Sequence, residues 1–431
     1  MNAKEGMVML RVLMVLLVSG GLTACAASGS GRSTAVVDDA LVARIHRDAW
    51  VFDAHVDVVM PDTAPNLLGP GGESRASLAM LEQGGVDAIA LALAVSAGPR
   101  TAEADRAALR DVRAKLQAVM TLVAESRDGG AGLVLARSAD ALEIAHAAGD
   151  PAVLLSFQNA RALGGNAANI NRFYDDGVRI FALTHLGHND YADSSRPLYL
   201  SGAKRYEPTE EHGGLSELGL AAIARINALG GIVDVSQMSR AATLQAIAAS
   251  TSPVIASHSN VKALSDVTRN LSDEEIDRIG ATGGVIHVAP FGAYLVAQSD
   301  PEMVARIRAA RVAAELPPDY SYPYELYWEL PDTASKMAFL TSVRDILGPA
   351  DVARLVDHID YIVDRIGIDH VGIGTDFNHG SSIDGFADAS DAPNVTRELL
   401  ARGYSEAQIR KIWGENFLRV LRAAEDGQSV R

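Results

Sequence analysis

The sequence predicts an α/β protein, a (β/α)8 TIM barrel, and three observations point there. Short β-branched runs alternate with Ala-, Leu-, Arg- and Glu-rich segments of helical period along most of the 431 residues. Eight such runs can be distinguished. Polar and ionisable residues recur at the C-terminal end of one run after another, and in a parallel barrel those ends share a single mouth. Composition leaves room for this fold: 48% of the residues are hydrophobic, enough for a large core, so neither disorder nor a small cross-linked scaffold is expected.

Taken in order, strands are expected at 50–53, 86–95, 152–157, 178–184, 231–235, 253–257, 284–288 and 370–374. Helices fall between them, among them 101–127, 216–229, 239–248 and 272–280. Thr101, Ser216, Ser239 and Ser272 open these as N-caps should. Gly84-Gly85, Gly230-Gly231 and Gly283-Gly284 stop a helix before the next strand. A doubly wound sheet would want a glycine-rich phosphate loop after its first strand, and Asp53-Ala54-His55-Val56-Asp57 is not one. Two stretches, 190–214 and 290–331, exceed ordinary connections. Long loops in a compact domain usually carry function, the alternative being tolerated surface insertions. One barrel is expected over 38–424, with a tail at 425–431.

The N-terminus reads as a targeting segment. Lys4 and Arg11 precede the apolar run Val12 to Val18, too short to span a membrane with its own flanks. Leu22-Thr23-Ala24-Cys25 then resembles a bacterial lipobox, with cleavage before Cys25 and a lipid on its thiol. An ordinary secretory signal is the plainer alternative. Residues 25–37, rich in Ala, Ser and Gly at their start, read as a flexible tether. The expected location is the periplasmic face of the bacterial envelope, at the outer membrane, held there through Cys25.

Charge and cysteine count narrow the chemistry. The net charge of −16 argues against a nucleic-acid partner, which needs a basic face. Cys25 is the only cysteine, so intrachain disulfides and cysteine-based zinc sites are excluded. Any metal must be held by His, carboxylate or neutral oxygen.

The strand ends supply such groups. The first gives His55 and Asp57, spaced to share one face. The third gives Gln158 and Asn159, and the fourth His185, His188 and Asn189. The fifth gives Gln237, the sixth Ser257-His258-Ser259-Asn260, and the eighth Asp376. Each alone has a plainer reading, such as a satisfied core histidine or a helix-capping aspartate. Their convergence on one mouth is the argument for a site. His287, between Ile286 and Val288, reads as packed, and His46, His146, His358 and His370 as structural or solvated.

Several ordered segments resemble the membrane dipeptidase (renal dipeptidase) family of the amidohydrolase superfamily. They are Asp53-Ala54-His55-Val56-Asp57, Leu183-Thr184-His185 with Ala192-Asp193-Ser194, Gly214-Leu215-Ser216 with Gly219, and Ser257-His258-Ser259-Asn260. Arg269-Asn270-Leu271-Ser272-Asp273, Gly374-Thr375-Asp376-Phe377 and Trp413-Gly414-Glu415-Asn416-Phe417 complete the series. The resemblance implies a metal-dependent hydrolase barrel with two zinc ions, hydrolysing dipeptides, including some with a C-terminal D residue. By position, His55 and Asp57 would hold the first ion and His258 the second. His185 would bind the scissile carbonyl oxygen, Asp376 would shuttle the proton, and Arg269 would clamp the substrate carboxylate. Family members are often homodimers.

Two positions depart from the family pattern: Gln158 stands where it has a bridging Glu, and Gln237 where it has a His. An amide offers one neutral carbonyl oxygen, and its nitrogen has no useful lone pair. One tight Zn2+ with a weak or absent second site is therefore expected. Three functions stay open at this point: a metal-dependent dipeptidase, an amidohydrolase acting on a non-dipeptide amide, and a peptide-binding lipoprotein of weakened catalysis.

Overall fold

Eight apolar segments pair in parallel, in chain order, in the computed structural model. They are β1 (Phe52–Asp57), β2 (Ala88–Ala94), β3 (Ala152–Gln158), β4 (Val178–Ala182), β5 (Ile232–Asp234), β6 (Ile255–Ala256), β7 (Val285–Val288) and β8 (Val371–Ile373). The structure describes residues 37–128 and 132–429. The expected signal peptide, Cys25 and nearly all of the expected tether lie outside them. Every residue of the eight strands is buried, as suits parallel strands covered by helices on the outside. The eighth strand returns to the first: the Asp57 N–H donates to the Phe377 carbonyl at 3.0 Å, and the Asp376 N–H to the His55 carbonyl at 2.8 Å. These bonds bring the two ends of the sheet into a nearly closed barrel, the fold the alternation predicts.

The helices begin and end as their sequences dictate. Ser216 caps the helix Glu217–Leu229 by accepting from the Gly219 N–H, and Gly230 ends it at φ 79°. Ser272 and Glu275 form a capping box on the helix Asp273–Ala281. Most strands are a few residues shorter than expected, and two other boundaries shift outward. The first strand runs on to Asp57, so His55 and Asp57 are part of it rather than of the following turn. The segment after 424, expected as a tail, continues the last helix, Asn416–Ser429. Among the described residues no helix is long and apolar enough to cross a membrane.

The two long stretches fold against each other. Residues 190–214 form a small hairpin, Tyr199–Leu200 with Arg205–Tyr206. Residues 290–331 contribute the helix Pro301–Ala313 and a satellite apolar cluster around Phe291, Tyr294, Tyr322 and Leu326, against which Tyr199 and Tyr206 pack. The Tyr206 hydroxyl donates to the Asp319 carbonyl at 3.0 Å. They are built structure rather than loose surface insertions.

Candidate active site

The geometry starts from one buried hydroxyl. Ser257 follows β6, and its Oγ lies 2.6 Å from Asp234 Oδ2, 2.7 Å from His258 Nδ1 and 3.4 Å from His55 Nδ1. Asp234 also accepts the Ser236 and Ser257 N–H groups at 2.9 and 3.0 Å. A hydroxyl has one proton to give and two lone pairs to receive. It gives the proton to Asp234, so both imidazoles must present Nδ1–H to it. Each histidine is thereby fixed as the tautomer that carries its lone pair on Nε2, the atom that would bind a cation. Ser257 is itself pressed into place by β8, since a Cβ on Gly374 would stand 1.8 Å from the Ser257 carbonyl oxygen.

The His55 Nε2 is buried and has no hydrogen-bond partner. It stands 3.8 Å from Asp57 Oδ2 and 3.9 Å from Asp376 Oδ1. Those spacings are too long for hydrogen bonds. They suit donors of one shared ion, which at about 2.0–2.2 Å per bond stand at most about 4.4 Å apart. Ligand atoms of His55, His258 and Asp376 all lie within 4.8 Å of one another, and the two rings stack with centroids 3.8 Å apart. The donor set fits one divalent cation.

A second cation fits poorly, and the reason is a hydrogen-bond chain. Arg196 Nη2 lies 3.1 Å from Gln237 Oε1, and Gln237 Nε2 lies 3.1 Å from His258 Nε2. A guanidinium can only donate, so it fixes the amide with its oxygen toward Arg196 and its N–H groups toward His258. Donation then runs one way: Arg196 to Gln237, Gln237 to His258, His258 to Ser257, Ser257 to Asp234. The Gln237 oxygen is taken, and the His258 lone pair is spent on a neighbour. Gln158, at the end of β3, is 1% exposed with its Nε2 unpartnered.

The remaining expected residues fall at the same mouth. His185 is buried, its Nδ1 has no partner, and burial followed by the nearby His379 holds its imidazole well below the usual range, hence neutral. Burial likewise keeps His258 neutral and raises the Asp376 carboxyl. Arg269 is 2% exposed, with Nη1 on Ser259 Oγ at 3.1 Å and Nη2 on the His258 carbonyl at 2.6 Å. Backbone strain gathers here too: Asn159, Gln237, Asp376 and Asn378 all hold positive φ, from 58° to 81°.

Some residues at the strand ends are structural instead. His188 bonds the Ser194 N–H and the Pro208 carbonyl, and Asn189 bonds Asn159 and the Leu183 carbonyl. His287 bonds the Ala256 carbonyl and is packed as expected. Three contributors escaped the sequence reading. His379 places Nδ1 3.5 Å from Asp57 Oδ2 and its ring 5.3 Å from that of His185. Its signal was its place three residues after Asp376. Asp234 had a signal as well, being a carboxylate that ends an apolar strand. Arg196 sits in an irregular loop and had none.

Known proteins extend these observations. The chain is 31% identical over 279 residues to dipeptidase aclJ of Aspergillus oryzae, covering 64% of this chain and 52% of that protein. It thus spans about half the length of that curated relative. The structure of the probable dipeptidase PvdM from Pseudomonas aeruginosa is 33% identical, with a TM-score of 0.76 over 90% of this chain and 98% of that one. A metallo peptidase from Rhodobacter sphaeroides, solved with a phosphinate mimic of the dipeptide L-Ala-D-Ala, shares the fold at 20% identity, with a TM-score of 0.65 over 87% of this chain and 99% of that one. A family model, membrane dipeptidase (peptidase family M19), matches residues 40–430. The chain belongs to the membrane dipeptidase family.

Proposed function

We propose that this protein is a dipeptidase working with one tightly held divalent metal ion. The observation that carries the reading is the His55 Nε2, buried and unpartnered between Asp57 Oδ2 and Asp376 Oδ1 at 3.8 and 3.9 Å. His55, Asp57 and Asp376 would hold the ion, with His258 beside them. Histidine and carboxylate donors suit Zn2+. A bound divalent ion supplies Lewis acidity and a lowered pKa for attacking water.

The chain's own residues supply the rest. Asp376, its carboxyl raised by burial, accepts a proton from the attacking water and returns it to the departing amine. His185, kept neutral by burial, donates an N–H to the carbonyl oxygen as it becomes an oxyanion. Arg269 has an unpartnered Nε and offers a rigid fork to the C-terminal carboxylate of the peptide. The relatives named as dipeptidases support the substrate class.

Steady-state kinetics on free and C-terminally amidated dipeptides test the assignment. Arg269→Ala is expected to raise KM for free peptides about tenfold or more and to leave amidated ones little changed. An equal effect on both would contradict the role of Arg269. No hydrolysis of any dipeptide by metal-loaded protein would overturn the function. We further propose that Cys25 carries a lipid anchor at the periplasmic face of the outer membrane, and that the protein is a homodimer. The lipobox-like tetrapeptide supports the first and the family resemblance the second. Mass spectrometry of the mature N-terminus and sedimentation test them.

A further inference from the structure

Two buried arginines face this site, and neither has a carboxylate partner. Arg196 is 5% exposed and Arg269 2%. Among the described residues no Asp or Glu oxygen lies within 4.0 Å of either guanidinium. Arg196 spends Nη2 on a neutral amide, Gln237. Arg269 spends its two Nη groups on a hydroxyl and a carbonyl. The Nε of each is buried without a partner.

The two cations are joined by an aromatic ladder. Arg269 lies over Tyr294 at 5.2 Å, Tyr294 packs on Tyr322 at 5.6 Å, and Arg196 lies over Tyr322 at 5.4 Å. Rings soften a buried cation but do not neutralise it. Burial, and further along the Arg196 charge, pull the Arg269 guanidinium down. The acidic groups that the two arginines feel are engaged elsewhere. Glu325 accepts from Ser321 N–H, Ser321 Oγ and the Tyr206 hydroxyl. Asp234 accepts from Ser257, and Asp376 stands at the metal donors. A buried cation without a counter-ion is costly, and like charges held close make it costlier. An anionic ligand relieves both.

We propose that Arg196 and Arg269 form a paired anion receptor, and that the preferred substrate is a dipeptide whose C-terminal residue carries an acidic side chain. This rests on the dipeptidase reading. Arg269 takes the main-chain carboxylate and Arg196 the side-chain carboxylate. Arg196 is then a specificity-determining residue. Its bond to Gln237 positions it, and the unpartnered Nε marks donor capacity left for substrate.

The test uses Ala-Glu and Ala-Gln, in L,L and L,D forms, which differ in charge but hardly in shape. The metal-loaded protein is expected to show kcat/KM at least about tenfold higher for Ala-Glu. Arg196→Gln is expected to collapse that ratio toward one, Arg196→Lys to retain part of it, and Arg269→Gln to depress both substrates. A structural role for Arg196 would instead lower both rates and leave the ratio unchanged, which overturns the proposal. Should Arg196→Gln not fold, a wild-type ratio near one overturns it equally. Calorimetry of hydrolysis-resistant analogues of the two peptides, with a reduced peptide bond, binding to the metal-loaded wild type separates the two readings. Preferential binding of Ala-Glu, with no hydrolysis of either peptide by the wild type, sustains the receptor and sinks the dipeptidase. Hydrolysis of both peptides at equal efficiency, with no binding preference, does the reverse.

Discussion

Replacing Ser257 by Ala probes the hydroxyl that sets the tautomers of both histidines. The wild-type Oγ meets Asp234 Oδ2 at 2.6 Å, His258 Nδ1 at 2.7 Å and His55 Nδ1 at 3.4 Å. Alanine leaves the His258 N–H and one Asp234 oxygen buried and unpaired, at about 1–3 kcal/mol each. The 3.4 Å contact is weak and adds little stability, but it is the hydrogen bond that selects the tautomer of His55. Asp234 keeps its two backbone donors, so the fold should survive with a loss of about 2–6 kcal/mol. Without the acceptor both rings are free to turn or change tautomer, and metal affinity should weaken about 10- to 100-fold. Competition titration against a chromophoric chelator reads the affinity, and urea unfolding of metal-free protein reads the stability. A Kd within threefold of wild type in a folded variant would refute the claim that Ser257 sets the tautomers.

Other outcomes follow from the same structure. Gln158→Glu with Gln237→His adds an anionic oxygen and an imidazole lone pair where amides now stand. Metal content is expected to rise from one toward two ions per chain, and further with Arg196→Gln, by elemental analysis after dialysis; an unchanged count would show that 158 and 237 are not ligand positions. Acid should destabilise the fold through buried neutral histidines. Burial pushes His287 and His358 down to about 4, while the unfolded chain titrates near 6.5. Between those values the unfolded state holds more protons, so stability is present above about 6.5 and falls as pH drops to about 4, by about 3 kcal/mol per histidine. Asp53 opposes this: burial raises its carboxyl to about 7, against three hydrogen bonds that favour the anion, and so adds stability as pH falls. The difference between wild type and His358→Gln therefore isolates the histidine, and parallel urea midpoints from pH 7 to 4.5 would contradict it.

The eight strands and the converging His55, Asp57, His185, His258 and Asp376 were legible because their signals are local. An apolar run ends, and a polar group stands at the mouth of the barrel. Arg196 was not legible. It lies in an irregular loop, and its meaning comes from Gln237, 41 residues away in sequence. Ser257 was visible only as one of several polar residues after a strand. Its three partners include Asp234, 23 residues before it, and His55, 202 residues before it. The stretch 290–331 concealed the satellite core because its tyrosines pack on the hairpin from 190–214, with no period in either segment to announce the pairing. The departures at Gln158 and Gln237 could be read from sequence as lost ligands. That Arg196 orients one of those amides, and so turns its donor face toward His258, required coordinates.

Metal content of the purified full-length protein tests the account most directly. After dialysis against metal-free buffer, elemental analysis and native mass spectrometry should find one divalent ion per chain, released when Asp57 is changed to Asn. Two retained ions per chain, or none after incubation with Zn2+, would contradict a centre built on His55, Asp57 and Asp376 with Gln237 closing the neighbouring place.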